Sequence, residues 1–465
     1  MRNPNRRMVV MGLTASALSA CEAVPYVPAK TKTATANVSG SRVKAAPAVA
    51  KLRANQTNPT QVWAFDGTVP GAGVRVTQGT RLRRRFVNAL PQDSTIHWHG
   101  IRIDNAMDGV PGLTQDAVPQ GGAFQYDFEV ADAGTFWYHP HSNSFEQLSR
   151  GLSAPLIVKE KQPPDVDADL ALMINHWVLD SNNQISGYGP GKNAPGPTSS
   201  HLTVNGAPTL VWETRQNERL RLRLINATAA RVLRLRGAGF EGQVMALDGM
   251  PLAQPRRFSG ITLAPAQRVD LIVDVTAQDG ETAYLRDEFG DVLVALPVAG
   301  QASRSARPVA APLPPNRESA LVMQGARRVD VVMRGGQMGA LSAARVMGAD
   351  EPLGRSALIA RGLSWSINGV AGMPKDPLAD VGLGETVVLR VRNTNGLAHA
   401  MHLHGTHFRQ VLGSGFGPLR DTILIGPNAT MDIAFVADNP GSWMFHCHML
   451  DHSVSGMMSW IKVSA

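Results

Sequence analysis

The chain holds 13 histidines, and 11 of them fall within residues 97–141 or 399–452. Histidines serving a core or a surface scatter along a sequence; gathered ones are characteristic of metal sites. Spacing narrows the chemistry. Four His-x-His pairs occur: His97/His99, His139/His141, His402/His404 and His446/His448. In an extended strand, residues i and i+2 point to the same side. Each pair therefore presents two imidazoles on one face, and eight imidazoles from two regions suggest one shared metal cluster.

The stretch "HCHMLDHSVSGMM" (446–458) adds a thiol. If His446 and His448 face the cluster, Cys447 between them faces the other way. It can then bind a different metal one residue along the chain. His452 and Met457 follow closely, and His399 lies just upstream of "HLHG" (402–405). Two imidazoles, one thiolate and a weak axial thioether make a blue-copper electron-transfer site. Structural zinc is the alternative, but such sites usually take more than one cysteine at short paired spacing. The other cysteine of the chain, Cys21, lies near the N-terminus, so no disulfide is expected within the mature fold.

The elements that must hold these side chains appear as a repeat. "GTRLRRRFVNAL" (79–90), "NERLRLRLINAT" (217–228) and "GETVVLRVRNTN" (384–395) each alternate apolar and polar residues like a half-buried strand. Each reaches an asparagine at its end: Asn88, Asn226 and Asn393. The intervals are domain-sized, which means three related domains rather than a solenoid. "AGTFWYHPH" (133–141) matches "PGSWMFHCH" (440–448), with Pro140 where the third domain has Cys447. The middle domain repeats the strand and lacks the histidines. Strand density and abundant glycine (45) and proline (31) suit an all-β chain of sandwich domains. The expected division is 51–160, 161–310 without ligands, and 311–465 carrying the thiol, with proline-rich linkers at 159–169 and 307–317.

The N-terminus reads as an export leader. Arg2, Arg6 and Arg7 precede a short apolar run, and "LSAC" (18–21) resembles a lipobox, in which the chain is cut before a cysteine that then carries lipid. Residues 1–20 are thus expected to be a signal peptide, with Cys21 as a lipid anchor and 21–50 as a flexible tether. "NRRMVVM" also resembles a twin-arginine signal, which leaves the export route open. A bacterial periplasmic or cell-envelope location follows. The formal charge of +8 includes three leader arginines, and no basic block is interleaved with aromatics, so nucleic acid is not an expected partner. No apolar run is long enough to span a membrane. A monomer is expected.

The motifs "HWHG" (97–100), "WYHPH" (137–141), "HAMHLHG" (399–405) and "HCHMLDHSVSGMM" resemble the copper signatures of three-domain multicopper oxidases, the family of laccases and cuprous oxidases. The resemblance covers about residue 50 to the C-terminus and implies three cupredoxin-like Greek-key β-sandwich domains. By motif it implies four copper ions. His399, Cys447, His452 and Met457 would hold the type 1 copper, and His97 and His402 the type 2 copper. His99, His139 and His448 would hold one type 3 copper, and His141, His404 and His446 the other. Met457 as axial ligand implies a lower potential than a noncoordinating residue would give.

The reaction so implied is one-electron oxidation of a reductant at the type 1 site, coupled to four-electron reduction of dioxygen to water. Electrons pass from Cys447 to its neighbours His446 and His448. Asp108, in "NAMDGVPG" (105–112), resembles the family's acid after the first motif and is expected to relay protons; as a turn-former before Gly109 it would have only a structural role. Some relatives carry an acid after the last type 1 histidine, where this chain has Ser453. Asp451, before His452, is a candidate for the reductant's edge. His176, His201 and His407 are expected to have no catalytic role. Met401, Met444, Met449 and Met458 are expected to pack around copper. The reductant stays open between phenols or aromatic amines, cuprous ion and ferrous ion. A laccase-like oxidase is preferred, because Met323, Met333, Met338 and Met347 are too scattered for a methionine-rich Cu(I) segment. The full ligand set argues against a copper-free structural protein or a copper carrier.

Overall fold

The computed structural model describes residues 41–465, apart from 55, 187–197, 304, 337–339 and 414. The leader, Cys21 and Met338 lie outside the described residues. Among those described, no helix is long and apolar enough to cross a membrane.

Three sandwiches of two sheets each follow one another, as the repeat predicts. In the first, the strands Thr60–Phe65, Ser41–Ala50, Arg81–Asn88 and Ala123–Glu129 form one sheet. Val74–Thr77, Ala154–Lys159, Gly134–His139 and His97–His99 form the other. A single core lies between them: Phe86, Tyr126 and Phe128 from the first sheet meet Trp98, Phe136 and Leu156 from the second. The middle sandwich is built around Arg219–Asn226 and the third around Thr386–Asn393, with His399–Leu403 and Gly441–Cys447 side by side in its second sheet.

The three repeated asparagines share one job. Asn88 Nδ2 donates to the carbonyls of Gln92 (2.9 Å) and Val118 (2.8 Å), while its Oδ1 accepts from Leu90 N–H (3.0 Å). Asn226 donates to Arg231 and Leu263 and accepts from Thr228 N–H. Asn393 donates to Leu397 and Gly426 and accepts from Asn395 N–H. Each side chain thus ties the end of its central strand to the following loop and to a second, distant one. In the first and third domains that loop runs on to the "HWHG" or "HLHG" strand.

One expectation fails. Residues 41–50 are not a tether. They form a ten-residue strand, antiparallel to Thr60–Phe65 and parallel to Arg81–Asn88, with Val43 and Ala45 buried. Alanine-rich composition and Pro47 hid it, because small residues suffice where sheet and core already surround the strand. The linker 307–317 is also more than a spacer. Leu313 is buried against the middle domain, and Asn316 exchanges two hydrogen bonds with the backbone of Ala133 in the first (2.9 and 2.7 Å).

The strand Arg219–Asn226 is buried on both faces rather than one. Its arginines meet acids: Arg219 with Asp274, Arg221 with Glu160 and Asp270, Arg223 with Asp169 and Asp270. Its polar face therefore forms a packed ionic layer, reaching Thr135 of the first domain through Arg223.

Because Asn226 holds three backbone groups, two of them through buried hydrogen bonds, Asn226→Ala should destabilise the protein by about 2–3 kcal/mol, as lost buried hydrogen bonds do. Urea denaturation measures it; a loss under about 0.5 kcal/mol, the range of neutral surface changes, contradicts the role.

Candidate copper sites

Strand register delivers the histidines. His97 lies opposite His139, and His402 opposite His446. One position along, Met401 lies opposite Cys447, and both are buried in the core of the third sandwich. The predicted alternation is therefore seen directly: the His446 side of the strand faces the first domain, and the Cys447 side faces its own core.

All eight paired histidines converge between the first and third domains. The rings of His97 and His404 stack at 3.9 Å between centroids, and those of His99 and His402 at 3.8 Å. Nε2 of His404 lies 3.1 Å from Nε2 of His446, and Nε2 of His139 lies 3.3 Å from Nε2 of His448. His141 closes the group, with its centroid 5.0 Å from His404 and 5.1 Å from His446.

The ring nitrogens away from the centre are mostly held from behind. Nδ1–H donates to a carbonyl in His97 (Asp108, 2.9 Å), His139 (Pro140, 3.0 Å), His402 (Asp421, 2.9 Å) and His446 (Cys447, 3.0 Å). His404 Nδ1–H donates to the Asp108 carboxylate (2.9 Å). These bonds fix the tautomer and leave Nε2 with a free lone pair. Among the described residues, Nε2 of His97, His141 and His402 and Nδ1 of His99 are buried without a hydrogen-bond partner. Buried, unsatisfied acceptors are rare in folded proteins unless a ligand answers them. Converging lone pairs on neutral imidazoles fit metal ions.

The second site lies on the Cys447 side. Nδ1 of His399 and of His452 are 3.1 Å apart, and Cys447 Sγ is 3.7 Å from each. Asn395 Oδ1 contacts His399 Nε2 at 3.0 Å and sets its orientation. Met457 is fully buried, and its carbonyl accepts from Cys447 N–H at 3.1 Å. Trp365 packs against both imidazoles, at 4.4 Å from His452 and 5.0 Å from His399. Of this second group His452 lies nearest solvent, with Asp451 beside it, 3.8 Å from Nε2 and half-exposed.

Electrostatics suits both sites. Burial, reinforced by neighbouring imidazoles, holds His139, His141, His404, His446 and His448 well below the ordinary histidine range. Burial, then His452, pushes His399 down to about 3. These rings are therefore neutral and able to ligate. Burial pushes the Cys447 thiol up, so a metal must displace its proton to bind.

Asp108 is buried and bonded to His404 and His97, so it is more than a turn-former. The turn itself falls to Gly109 (φ +84°), where an added Cβ would lie 1.9 Å from the Ile96 carbonyl. Ser453 Oγ approaches His446 Nδ1 at 3.4 Å. Sequence reasoning missed Asp421 and Arg268. Asp421 Oδ1 lies 3.3 Å from His99 Nε2 and 3.5 Å from His402 Nδ1. Arg268, from the middle domain, grips both of its oxygens at 2.9 and 2.6 Å. Burial works against the Asp421 charge, but Arg268 and His99 outweigh it and hold its pKa well below the carboxylate range. Neither residue has histidine-like spacing, and only the fold brings them together. His176 and His201 stay on the middle domain, bonded to Ser200 and Ser199.

Comparison with known proteins agrees with this architecture. Multicopper oxidase family models match residues 48–163, 170–291 and 351–465. The solved structure of Lac15 from a marine microbial metagenome is 36% identical, with a TM-score of 0.75, covering 91% of this chain and all of that one. The multicopper oxidase MmcO of Mycobacterium tuberculosis is 29% identical over 96% of this chain and 90% of its own length. Laccase-1 of Botryotinia fuckeliana is 28% identical over 84% of this chain and 77% of its own. The chain belongs to the multicopper oxidases: it is a copper-binding oxidoreductase with three cupredoxin domains.

The buried neutral histidines carry a pH signature in the copper-free protein. Once unfolded, they titrate near 6.5; folded, His399 titrates near 3 and His407 near 4. Between these values the unfolded chain binds protons that the folded one does not, so stability falls as pH falls below about 6.5. The melting temperature of copper-free protein should drop by at least about 5 °C from pH 7.5 to pH 5; a flat profile contradicts buried neutral imidazoles.

Proposed function

We infer that the chain oxidises small reductants one electron at a time at the Cys447 site and reduces dioxygen to water at the histidine cluster. The carrying observation is the sequence His446–Cys447–His448, whose alternate side chains enter two separate ligand groups. Type 1 copper is assigned to His399, Cys447, His452 and Met457, and type 2 to His97 and His402. The type 3 pair is assigned to His99, His139 and His448, and to His141, His404 and His446. Unpartnered inward nitrogens on His97, His402, His99 and His141 support this set, as do the close Nε2 contacts of His404 with His446 and His139 with His448. Copper held by these residues would supply the one-electron redox chemistry and the affinity for dioxygen.

The protein contributes geometry. Cys447 is joined covalently to both cluster histidines, so electrons need cross no gap through space. Asp108, held against His404 and His97, is the carboxylate placed to hold a proton at the cluster. His452 presents an imidazole edge close to solvent, where a reductant can dock, and Asp451 beside it favours cationic or hydrogen-bonding reductants. A phenol or aromatic amine fits this edge, which makes the chain laccase-like. Met347 is exposed in the third domain while Met333 is buried in its core, so these scattered methionines lend little support to a Cu(I) segment. The arginine-bearing leader and the LSAC box support export and a lipid anchor at Cys21.

Cys447→Ser tests the two-site reading. Oxygen uptake with a phenol, Cu(I) or Fe(II) should all but vanish, while copper bound by the histidine cluster remains. Uptake that survives the substitution contradicts it, and the relative rates of the wild type with the three reductants rank its substrates.

A further inference from the structure

His407 was the histidine of the third domain left without a role. It follows "HLHG" by two residues, its side chain is almost wholly buried, and neither ring nitrogen has a hydrogen-bond partner among the described residues. An imidazole so placed is costly unless water or another ligand answers it. A small open cleft of about 20 Å³, room for roughly one water, supplies the space. Arg102 of the first domain, Glu318 and Ser319 just after the linker, and His407, Arg409 and Asp438 of the third domain line it.

The cleft's charges are largely matched within the protein. Arg102 pairs with Asp132 at 2.7 Å, and Arg409 with Glu318 at 2.7 Å. Asp438 Oδ2 accepts from Ser319 Oγ at 2.6 Å, but its Oδ1 is buried without a partner among the described residues. What remains to be satisfied is therefore two imidazole nitrogens and one carboxylate oxygen. Water answers such a mixed set, donating to one group and accepting from another. A strong anion or cation site would need unmatched charge.

The inner side of His407 leads toward the metal cluster. Its Nε2 lies 3.8 Å from Asp421 Oδ2, just beyond direct hydrogen-bond reach. Asp421 in turn touches His99 and, through its carbonyl, His402. The way from cleft to cluster thus passes two side chains, His407 and then Asp421.

We propose that His407 forms the inner end of a water-bearing passage from this cleft to the histidine cluster by way of Asp421. The proposal rests on the oxidase reading above. Each dioxygen takes four electrons from the reductant and four protons from solvent, and leaves as two waters. Water held by His407 at the mouth of this path brings the protons in along hydrogen bonds. His407 is a positioning residue: it holds water and touches no substrate.

Two variants separate this role from packing. His407→Phe keeps a ring of similar shape and removes both polar atoms, while His407→Gln keeps a donor and an acceptor. After full anaerobic reduction, reoxidation by dioxygen should slow about tenfold in His407→Phe, the size of effect seen when polar groups behind metal ligands are lost. His407→Gln should stay within about twofold of wild type. Reduction of the Cys447 site and copper content should be unchanged in both. A crystal structure of the copper-free wild type should show ordered water on His407 and Asp438, lost from His407 in the Phe variant. A dry cleft overturns the proposal, as does wild-type reoxidation in His407→Phe or an equal slowing in His407→Gln. The crystallographic result decides the passage even if the chain proves not to reduce dioxygen, so the two readings fail separately.

Discussion

The buried ion pair between Arg268 and Asp421 is the interaction on which the cluster's geometry rests. Asp421 belongs to the third domain and touches His99 of the first and His402 of its own. Arg268 comes from the middle domain, holds Asp421 through two hydrogen bonds and donates to the Thr135 carbonyl of the first domain at 3.1 Å. One carboxylate and one guanidinium thus join three domains at the back of the metal cluster. The fit leaves no slack: a Cβ on Gly100 would fall 2.2 Å from Arg268 Nη2 and 2.6 Å from Asp421 Oδ2. Burying such a pair is not in itself a source of stability, but removing one partner leaves an uncompensated charge and costs about 3–5 kcal/mol.

That pair also gives the middle domain a purpose. Its sequence keeps the strand and asparagine of the repeat and has none of the His-x-His pairs. In the structure it supplies the charge that keeps Asp421 ionised, together with a polar layer of Arg221, Arg223 and Asp270 against the first domain. The middle domain therefore acts as a brace for a site it does not line. Neutral imidazoles and an ionised Asp421 are complementary demands, since ligation needs free lone pairs and orientation needs a firm acceptor behind them.

Much of the site was legible because metal ligation and strand geometry both leave periodic marks. The i, i+2 spacing of the four histidine pairs reports the strand directly, and alternation alone turns Cys447 away from His446 and His448. Asn88, Asn226 and Asn393 marked equivalent loops for a similar reason, since one side chain does the same job three times. What stayed hidden depends on contacts between distant segments. Asp421 meets His99 across 322 residues and Arg268 across 153. The alternating arginines of 219–223 looked solvent-facing, because nothing local says that acids from other segments will cover them. The strand 41–50 was hidden by its small side chains, which carry little β-signal and need the finished sheet to make them extended.

The proposed reaction depends on one strand feeding two copper sites. It is tested most directly by counting copper in the purified protein while following its visible and electron paramagnetic resonance spectra. Four coppers per chain and an intense blue thiolate band are expected. A phenol should bleach that band without oxygen, and air should restore it. One copper or none, or a full complement without the thiolate band, would contradict it.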